Sequence, residues 1–394
     1  MHTNTDVKMT HNYKMVAKTL FGLEPILAKE LKNLGAIDVK EGVRNVTFYG
    51  DKGFMYKANI ALRTAIRILK PFKQFKVKNE TDLYNGIKNI YWEEFLFHDK
   101  TFAIHTTLAT DNFSHSHYAS LKVKDAIADY FREKYNKRPS VDLDYPDLSL
   151  DIHIQGDTCT VSLDSSGQSL HKRGYKSSTN IAPINEVLAA GLVSLTGYDG
   201  TQHFIDPMCG SGTILIEAAM LALNIPANIN RKEFAFENWP DYEEELFEKI
   251  QQSLMKKVRE IDKKIIGYDK APSAIAKAKE NIENAGLTEF ITVERKDFFT
   301  SEKPVEGKTI VLFNPPYGER LKVNVPVFYK KIGDTLKQGY PDTDAWLITS
   351  DLEEGIKNVG LKTSRRIPLY NGKLECRLVK YQMYKGTKKI HKQS

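Results

Sequence analysis

The sequence predicts an α/β protein in which a parallel sheet fills the second half of the chain and an α+β portion precedes it. From about residue 182 to residue 384, short apolar runs alternate with helical patterns, which is typical of a parallel sheet. Before residue 70 the patterns follow the order β-α-β-β-α, which is that of a ferredoxin-like half. The length of 394 residues is enough for two or three domains.

The composition is that of a soluble globular protein, with 41% hydrophobic and 27% charged residues. No apolar run is long enough to span a bilayer, and the polar residues 1–11 lack the apolar core of a signal peptide. The three cysteines, Cys159, Cys209 and Cys376, show neither metal-binding nor disulfide spacing. We therefore expect a cytoplasmic protein without a membrane partner or a metal site.

The first 164 residues divide into three expected parts. Residues 1–12 are expected to be disordered, residues 13–69 to form a ferredoxin-like domain and residues 70–164 to form a second domain. In the ferredoxin-like domain we expect strands at Met15–Leu20 and Arg63–Leu69, a hairpin over Val39–Tyr49, and helices at Glu24–Leu34 and Phe54–Leu62. In the second domain we expect helices at Leu83–Ile90 and Ser120–Tyr135, a strand at Thr101–Leu108, and a hairpin of Leu148–Ile154 with Cys159–Leu163.

The second domain is basic and carries interleaved aromatic side chains. The cations are Lys70, Lys73, Lys76, Lys78, Lys122, Lys124, Arg132, Lys134, Lys137 and Arg138, and the aromatic residues are Phe72, Phe75, Phe113 and Tyr118. Together with the net charge of +7, this pattern favours an RNA-binding module. On charge alone, a solvated surface is the simpler interpretation.

A polar stretch over residues 165–181 is predicted to link the first part of the chain to the second. Within it, Lys172 and Arg173 are candidates for contacts with RNA phosphates, and Tyr175 is a candidate for stacking on a base. An exposed basic linker without any RNA contact is the alternative.

Residues 182–384 are predicted to form the parallel-sheet domain, followed by a loose basic tail over residues 385–394. The expected strands are His203–Ile205, Lys264–Tyr268, Ile291–Val293, Thr309–Phe313 and Trp346–Thr349, with a final hairpin of Arg365–Leu369 and Glu375–Tyr384 turned at Asn371-Gly372. The expected helices are Ile184–Leu195, Thr213–Leu223 and Pro272–Asn284, and an acidic helical insertion is expected between Asn224 and Asp262.

A glycine-rich turn, Asp206-Pro207-Met208-Cys209-Gly210-Ser211-Gly212-Thr213, joins the first of these strands to its helix. Its glycines let the backbone turn tightly and approach a ligand closely. The turn lacks the full spacing of a dinucleotide loop and the Gly-Lys-Ser/Thr of a P-loop. Asp269 after the second strand suits a ribose diol, and Asp297 after the third suits an adenine amino group, unless it only caps a turn. This acidic set favours a nucleoside without phosphates, such as S-adenosylmethionine.

The stretch Asn314-Pro315-Pro316-Tyr317 follows the fourth strand, at the carboxyl edge where such sheets bind ligands. Its two prolines hold the backbone extended. The Asn314 side chain and a rigid carbonyl offer two acceptors to a planar amino group, and Tyr317 offers a ring to stack on it. Considered alone, an ordinary proline-rich turn is the alternative.

Together these stretches resemble those of class I S-adenosylmethionine-dependent methyltransferases. The glycine-rich turn is similar to the first motif of that family, Asp269 to its ribose acid, Asp297 to its adenine acid and Asn314–Tyr317 to its catalytic motif. The resemblance implies cofactor contacts from Asp206, Met208, Gly210, Ser211, Gly212, Thr213, Asp269, Asp297 and Asn314. Leu170–Tyr175 followed by Ala182–Glu186 resembles the junction in THUMP-domain RNA methyltransferases, above all the guanine-N2 methyltransferases of bacterial large-subunit ribosomal RNA.

This resemblance implies an RNA-binding THUMP domain over residues 70–164 and methylation of a guanine amino group, with large-subunit ribosomal RNA as the expected substrate and transfer RNA as the alternative. It assigns catalysis to Asn314, Pro315, Pro316 and Tyr317. Enzymes that methylate an adenine amino group or a protein glutamine amide share the same motif, and an inactive RNA-binding factor is a further alternative. Fused family members carry a second methyltransferase domain that this chain lacks, so no second activity is expected.

Overall fold

The computed structural model describes residues 12–177, 184–316 and 324–385. An eight-stranded sheet organises the first of these ranges and a seven-stranded sheet the other two. The predictions of a disordered N-terminus and a loose C-terminal tail lie outside the described residues, except at Asn12 and Lys385. Within the described ranges, no helix is both long and apolar enough to cross a membrane.

The first sheet runs continuously through both predicted N-terminal domains. Its strands are β1 (Tyr13–Lys18), β2 (Ile37–Glu41), β3 (Asn45–Gly50), β4 (Arg67–Lys76), β5 (Thr101–Ala109), β6 (Ser140–Val141), β7 (Leu148–Gln155) and β8 (Thr158–Asp164), in the order β2-β3-β1-β4-β8-β7-β5-β6. Strand β4 pairs with β1 on one side and with β8 on the other. The boundary predicted between residues 69 and 70 therefore falls inside a shared strand.

One face of this sheet is covered by four helices, and the other face is polar and open. The helices are α1 (Glu24–Leu34), α2 (Lys52–Ala61), α3 (Glu80–Lys88) and α4 (Ser116–Tyr135). Because side chains alternate along a strand, Met15 and Ala17 of β1 enter the core beneath the helices, whereas Lys14 and Lys18 point the other way.

The second sheet is mostly parallel. Its strands are β9 (His203–Asp206), β10 (Ile265–Asp269), β11 (Ile291–Arg295), β12 (Thr309–Phe313), β13 (Thr343–Thr349), β14 (Arg365–Asn371) and β15 (Leu374–Met383), in the order β11-β10-β9-β12-β13-β15-β14. Only β15 runs antiparallel to its neighbours. The strand order reverses between β9 and β12, so their carboxyl ends form the crevice where such sheets bind ligands.

Five helices accompany the second sheet: α5 (Glu186–Thr196), α6 (Thr213–Ala222), α8 (Pro272–Asn284), α9 (Val325–Gly339) and α10 (Glu354–Asn358). Helix α7 (Glu244–Met255) precedes α8 in the chain and packs on α2 of the first half. Helix α9 was not predicted from the sequence, although its signals are present. Asn324 caps it by accepting from Val327 N at 3.2 Å, a proline lies in its first turn, and Tyr329 and Ile332 are buried at helical spacing.

The predicted acidic insertion, residues 224–262, binds the two halves together. Phe236 stacks on Tyr56 of α2 with ring centroids 4.5 Å apart, and Asn228 N donates to Ile60 O at 2.9 Å. Aromatic residues of the insertion belong to the same apolar cluster as the core of the first sheet. The insertion therefore packs the second half of the chain against the core of the first sheet.

The polar segment predicted to link the two halves is packed, at least over its described residues 165–177. Ser165 and Ser166 are fully buried, and both hydrogen-bond to the Asn59 side chain of α2. Arg231 of the insertion donates to four carbonyl oxygens of the segment. These bonds hold the segment in place and fix the two sheets relative to each other.

Candidate active site

The glycine-rich turn after β9 combines close packing with an open side. Gly210 and Gly212 have φ values of 53° and 80°, which only glycine adopts readily. A Cβ atom added to Gly212 would lie 3.3 Å from Ala278 of α8, whereas one added to Gly210 would meet no atom within 4 Å. Gly212 thus serves helix packing, and Gly210 leaves room for a ligand to approach the backbone.

Two carboxylates hold this turn. Asp206 is only 1% exposed, and its Oδ1 accepts from Met208 N at 3.1 Å. Asp269 Oδ2 accepts from Gly210 N at 3.0 Å, and its Oδ1 accepts from Ala271 N at 2.9 Å. Burial raises the pKa of Asp206 well above its usual range, and the nearby Asp269 carboxylate adds to the rise. Asp269 is half-buried and keeps free lone pairs on both oxygens, as a ribose diol requires.

A residue that the sequence analysis missed also supports the turn. The Asn281 side chain is fully buried on α8, where its Nδ2 donates to Ser211 O at 2.9 Å. Its Oδ1 accepts from Ser177 N at 3.2 Å, which ties the turn to the end of the interdomain segment. An asparagine among Ile275, Ala278 and Ile282 on the apolar stripe of α8 was the available signal.

Asp297 lies at the carboxyl end of β11, next to the end of β10. Its side chain is exposed, and Oδ1 caps the following turn by accepting from Phe299 N at 2.9 Å. The turn-cap interpretation therefore accounts for one oxygen of the carboxylate. The second oxygen is available to an amino group that lies against this edge.

Asn314 follows β12 directly, beside the end of β9. Its Oδ1 is buried and has no hydrogen-bond partner among the described residues. Such an atom costs about 1–3 kcal/mol, so its presence in a native protein calls for a ligand or a functional role. Pro315 is buried and Pro316 is exposed, while Tyr317 lies outside the described residues.

The RNA contacts predicted for Arg173 and Tyr175 are contradicted by their burial. Arg173 is 1% exposed and Tyr175 is fully buried. Arg173 Nε lies 3.4 Å from Glu217 Oε1 of α6, and the Tyr175 hydroxyl donates to the same oxygen at 3.0 Å. Both side chains therefore hold the two halves together. Of the three candidates only Lys172 is exposed.

The glycine-rich turn, two acidic residues and an asparagine with an unsatisfied oxygen thus lie together at one edge of the second sheet. In that sheet the antiparallel strand β15 lies between β13 and β14, the fifth and sixth strands in chain order. This fold and site are those of a class I S-adenosylmethionine-dependent methyltransferase, and the N-terminal half adds the domains of an RNA-modifying enzyme. The chain belongs to the RMKL-like methyltransferase family, whose methyltransferase domain matches residues 173–380. A THUMP domain matches residues 77–164, and an RlmL ferredoxin-like domain matches residues 14–69.

Similar proteins agree with this assignment. The Synechocystis protein slr0064, named as a candidate RNA methyltransferase, is 37% identical over 92% of this chain and 95% of its own length. The ribosomal RNA large subunit methyltransferase K/L of Syntrophotalea carbinolica is 34% identical over 94% of this chain, which spans 53% of that protein. The crystal structure of SMU.472 complexed with SAH superimposes with a TM-score of 0.84 at 27% identity, covering 96% of this chain and 100% of the other. The predicted fold, family and cofactor, S-adenosylmethionine, are confirmed.

We expect Asp269→Ala to weaken S-adenosylmethionine binding roughly 5- to 150-fold, because hydrogen bonds to a charged acceptor are worth about 1–3 kcal/mol. The variant loses the acceptor for the diol and the brace on Gly210 N together. Titration calorimetry measures the affinity, and Glu289→Ala, at the opposite edge of the sheet, is the matched control. Wild-type affinity in the Asp269 variant would remove this residue from the cofactor site.

Proposed function

We propose that this enzyme methylates the exocyclic N2 amino group of a guanine in RNA, with large-subunit ribosomal RNA as the substrate class. The observation that carries the proposal is the buried, unpartnered Oδ1 of Asn314 at the switch point of the sheet. That atom is a preorganised acceptor, and an exocyclic amino group brings two N–H donors.

The chemistry required is the activation of a poor nucleophile. The lone pair of an exocyclic amino group is delocalised into the ring, which leaves the nitrogen planar. Asn314 Oδ1 and the Pro315 carbonyl accept its two hydrogens, which favours a pyramidal nitrogen with its lone pair directed at the incoming methyl group. Bound S-adenosylmethionine supplies that electrophilic methyl group. Most of the rate effect comes from this positioning, and the surplus proton leaves the nitrogen afterwards.

Methylation of a ring carbon is disfavoured because it needs a thiolate nucleophile. Cys209 is the cysteine of the cofactor turn, and burial raises the pKa of its thiol, as do the carboxylates of Asp206 and Asp269. The thiol is therefore neutral. This supports amino-group methylation by Asn314 and the prolines, as the sequence suggested.

The THUMP domain and the name of the K/L relative support RNA as the substrate. The choice of large-subunit ribosomal RNA over transfer RNA is part of the proposal, and the name of that relative is its support. This chain spans about half of the length of that relative, so the relative's activity is assigned to this chain only as part of the proposal. The alternatives are methylation of adenine N6, of a transfer-RNA guanine or of a protein glutamine amide. Each of these amino groups could donate to the same two acceptors, Asn314 Oδ1 and the Pro315 carbonyl. The three buried cysteine thiols accord with the cytoplasmic location that we propose.

The test is incubation of the purified protein with labelled S-adenosylmethionine and, in separate reactions, total RNA or total protein from cells that lack the gene. We expect label in large-subunit ribosomal RNA and N2-methylguanosine after digestion and mass spectrometry. Label on N6-methyladenosine would keep the mechanism and change the substrate. Label in protein alone, with none in any RNA fraction, would overturn the proposal.

A further inference from the structure

We propose that the open face of the eight-stranded sheet is the groove that binds the substrate RNA strand and leads it toward the active site. This inference rests on the proposed function, because it assigns a surface to the RNA substrate. The groove has a volume of about 1410 Å³ and crosses both N-terminal domains, from β3 and β1 through β4 and β8 to β7 and β5. It is therefore a surface that neither domain forms alone.

The charge of the groove suits a polyanion. The side chains of five basic residues line it, namely Lys14, Lys18, Arg44, Arg67 and Lys73, against a single carboxylate, Asp151. Arg67 bonds to Asp164, and Lys18 Nζ lies 3.9 Å from Asp151 Oδ1. Lys14, Arg44 and Lys73 are exposed and form no ion pair with any described residue. Unpaired cations along a groove are the usual contacts for a nucleic-acid backbone.

The floor of the groove adds polar groups that can meet a base. Asp151 is 2% exposed, and its Oδ1 has no hydrogen-bond partner in the described part of the chain. His105 Nδ1 lies 3.3 Å from Asp151 Oδ2, and its ring is largely exposed. If Lys18 turns toward a phosphate, Asp151 Oδ1 loses its neighbouring cation, and base amino groups are suitable hydrogen-bond donors for it.

Of the aromatic side chains expected from the sequence, only the half-buried Phe72 lines this groove. Phe113 is 7% exposed, Phe72 packs against Phe95 at 4.5 Å, and Phe75 covers Gly86. The predicted aromatic side chains other than Tyr118 therefore stabilise the core. Recognition in the groove must depend on charge and hydrogen bonding more than on stacking.

One end of the groove contacts the methyltransferase sheet directly. Thr19 and Leu20 line the groove, and the next residue, Phe21, packs edge-on against Tyr370 of β14 with centroids 5.5 Å apart. A Cβ atom added to Gly22 would lie 3.0 Å from the Pro368 carbonyl, so the two backbones touch here. The groove therefore ends against β14.

The strand register shows that this contact lies on the active-site edge. Strand β12 is parallel to β13, and β15 is antiparallel to both β13 and β14. Strand β14 therefore runs parallel to β12. Residues paired across neighbouring strands form a row that starts at Phe313 of β12 and reaches β14 at Arg366. Tyr370 lies four positions after Arg366 and is therefore farther toward the carboxyl edge of the sheet. Three strand spacings, about 14 Å, separate β14 from the strand that ends at Asn314. An RNA strand that leaves the groove at this end therefore emerges beside the edge of the sheet that carries Asn314.

The test compares two charge reversals in the full-length protein. Lys14→Glu with Lys73→Glu changes the groove. Lys29→Glu with Lys32→Glu makes the same change of charge at two exposed positions of α1, one of the helices that cover the opposite face of the sheet. We expect only the groove variant to bind deproteinised large-subunit RNA about tenfold more weakly and to show a shallower salt dependence, by roughly 0.7 per lost phosphate contact.

Kinetics then separate the groove from the active site. The groove variant should raise KM for RNA while kcat and S-adenosylmethionine affinity stay at wild-type values. If wild-type protein methylates RNA and the two variants behave alike, the groove assignment falls and the proposed function stands. If wild-type protein methylates no RNA, the proposed function itself falls. Normal methylation of free RNA with lost methylation of ribosomal particles would assign the groove to an acidic protein and overturn this inference.

Discussion

Asn314→Ala is expected to lower kcat for RNA methylation by about 10²–10³ while S-adenosylmethionine binding changes little. The side chain contributes a preorganised acceptor that acts on the amino group as its nitrogen becomes pyramidal. Its Oδ1 makes no hydrogen bond to any described residue, so its loss breaks no bond that holds the fold. Single-turnover methylation and cofactor titration of the same preparation give the two quantities.

Stability separates this role from that of an ordinary proline-rich turn. Removing an unsatisfied buried acceptor relieves its desolvation cost, so the Tm of Asn314→Ala should equal or exceed that of the wild type. If Asn314 were structural, activity and Tm would fall together. A folded variant with undiminished methyl transfer would exclude Asn314 from catalysis.

Tyr317, which lies outside the described residues, offers a paired comparison. If its ring stacks on the target base, Tyr317→Phe should keep activity near the wild-type value, because the hydroxyl takes no part. Tyr317→Ala should cost about 1–3 kcal/mol of substrate binding through lost stacking. Equal loss in both variants would assign the role to the hydroxyl instead.

The sequence was informative wherever the signal is local. Short β-branched runs, a glycine turn and acidic residues at strand ends determine a parallel sheet and the edge at which its ligand binds. Gly210, Asp269 and Asn314 were found in this way, because each lies at the end of its strand or within a few residues after it. Helix α9 was not predicted, although Asn324 and a proline mark its start, so the sequence did contain the signals for this helix.

Other predictions failed because the deciding contacts are distant in the chain. By residue type, Lys172, Arg173 and Tyr175 cannot be distinguished from an RNA-binding cluster. The partner of the last two is Glu217, which lies 44 and 42 residues farther along the chain, respectively. Asn281 likewise looks like a surface residue until α8 packs beside the glycine turn. Burial of a polar side chain is decided by tertiary packing, which local patterns do not contain.

The buried Arg173–Glu217 pair provides the second large effect. Arg173 also donates to Asn228 Oδ1 at 2.9 Å and to Leu170 O at 2.8 Å, so it joins the interdomain segment, α6 and the insertion. Arg173→Met is expected to lower the free energy of unfolding at neutral pH by about 3–5 kcal/mol, because the buried Glu217 carboxylate loses its ion-pair partner and the more distant charge of Arg63 offsets its burial only in part. Lys172→Met, at the exposed neighbouring position, should stay within about 0.5 kcal/mol.

The loss in Arg173→Met should depend on pH. Burial raises the pKa of Glu217, and the charge of Arg173 opposes that rise, so the variant's pKa is higher still. A carboxyl group whose pKa is raised by folding favours the folded state at low pH, and this contribution is lost as the pH rises through the folded-state pKa. The deficit relative to wild type should therefore narrow on acidification from neutral pH. Urea unfolding at several pH values measures it.

A double variant tests whether the stranded charge causes the loss. Arg173→Met with Glu217→Gln removes both charges, so it should be more stable at neutral pH than Arg173→Met alone and show little of the pH dependence. If the double variant were instead less stable by the sum of the two single effects, packing and not charge would account for the loss. Retained S-adenosylmethionine binding in the double variant would show that the pair positions the two halves without touching the cofactor turn.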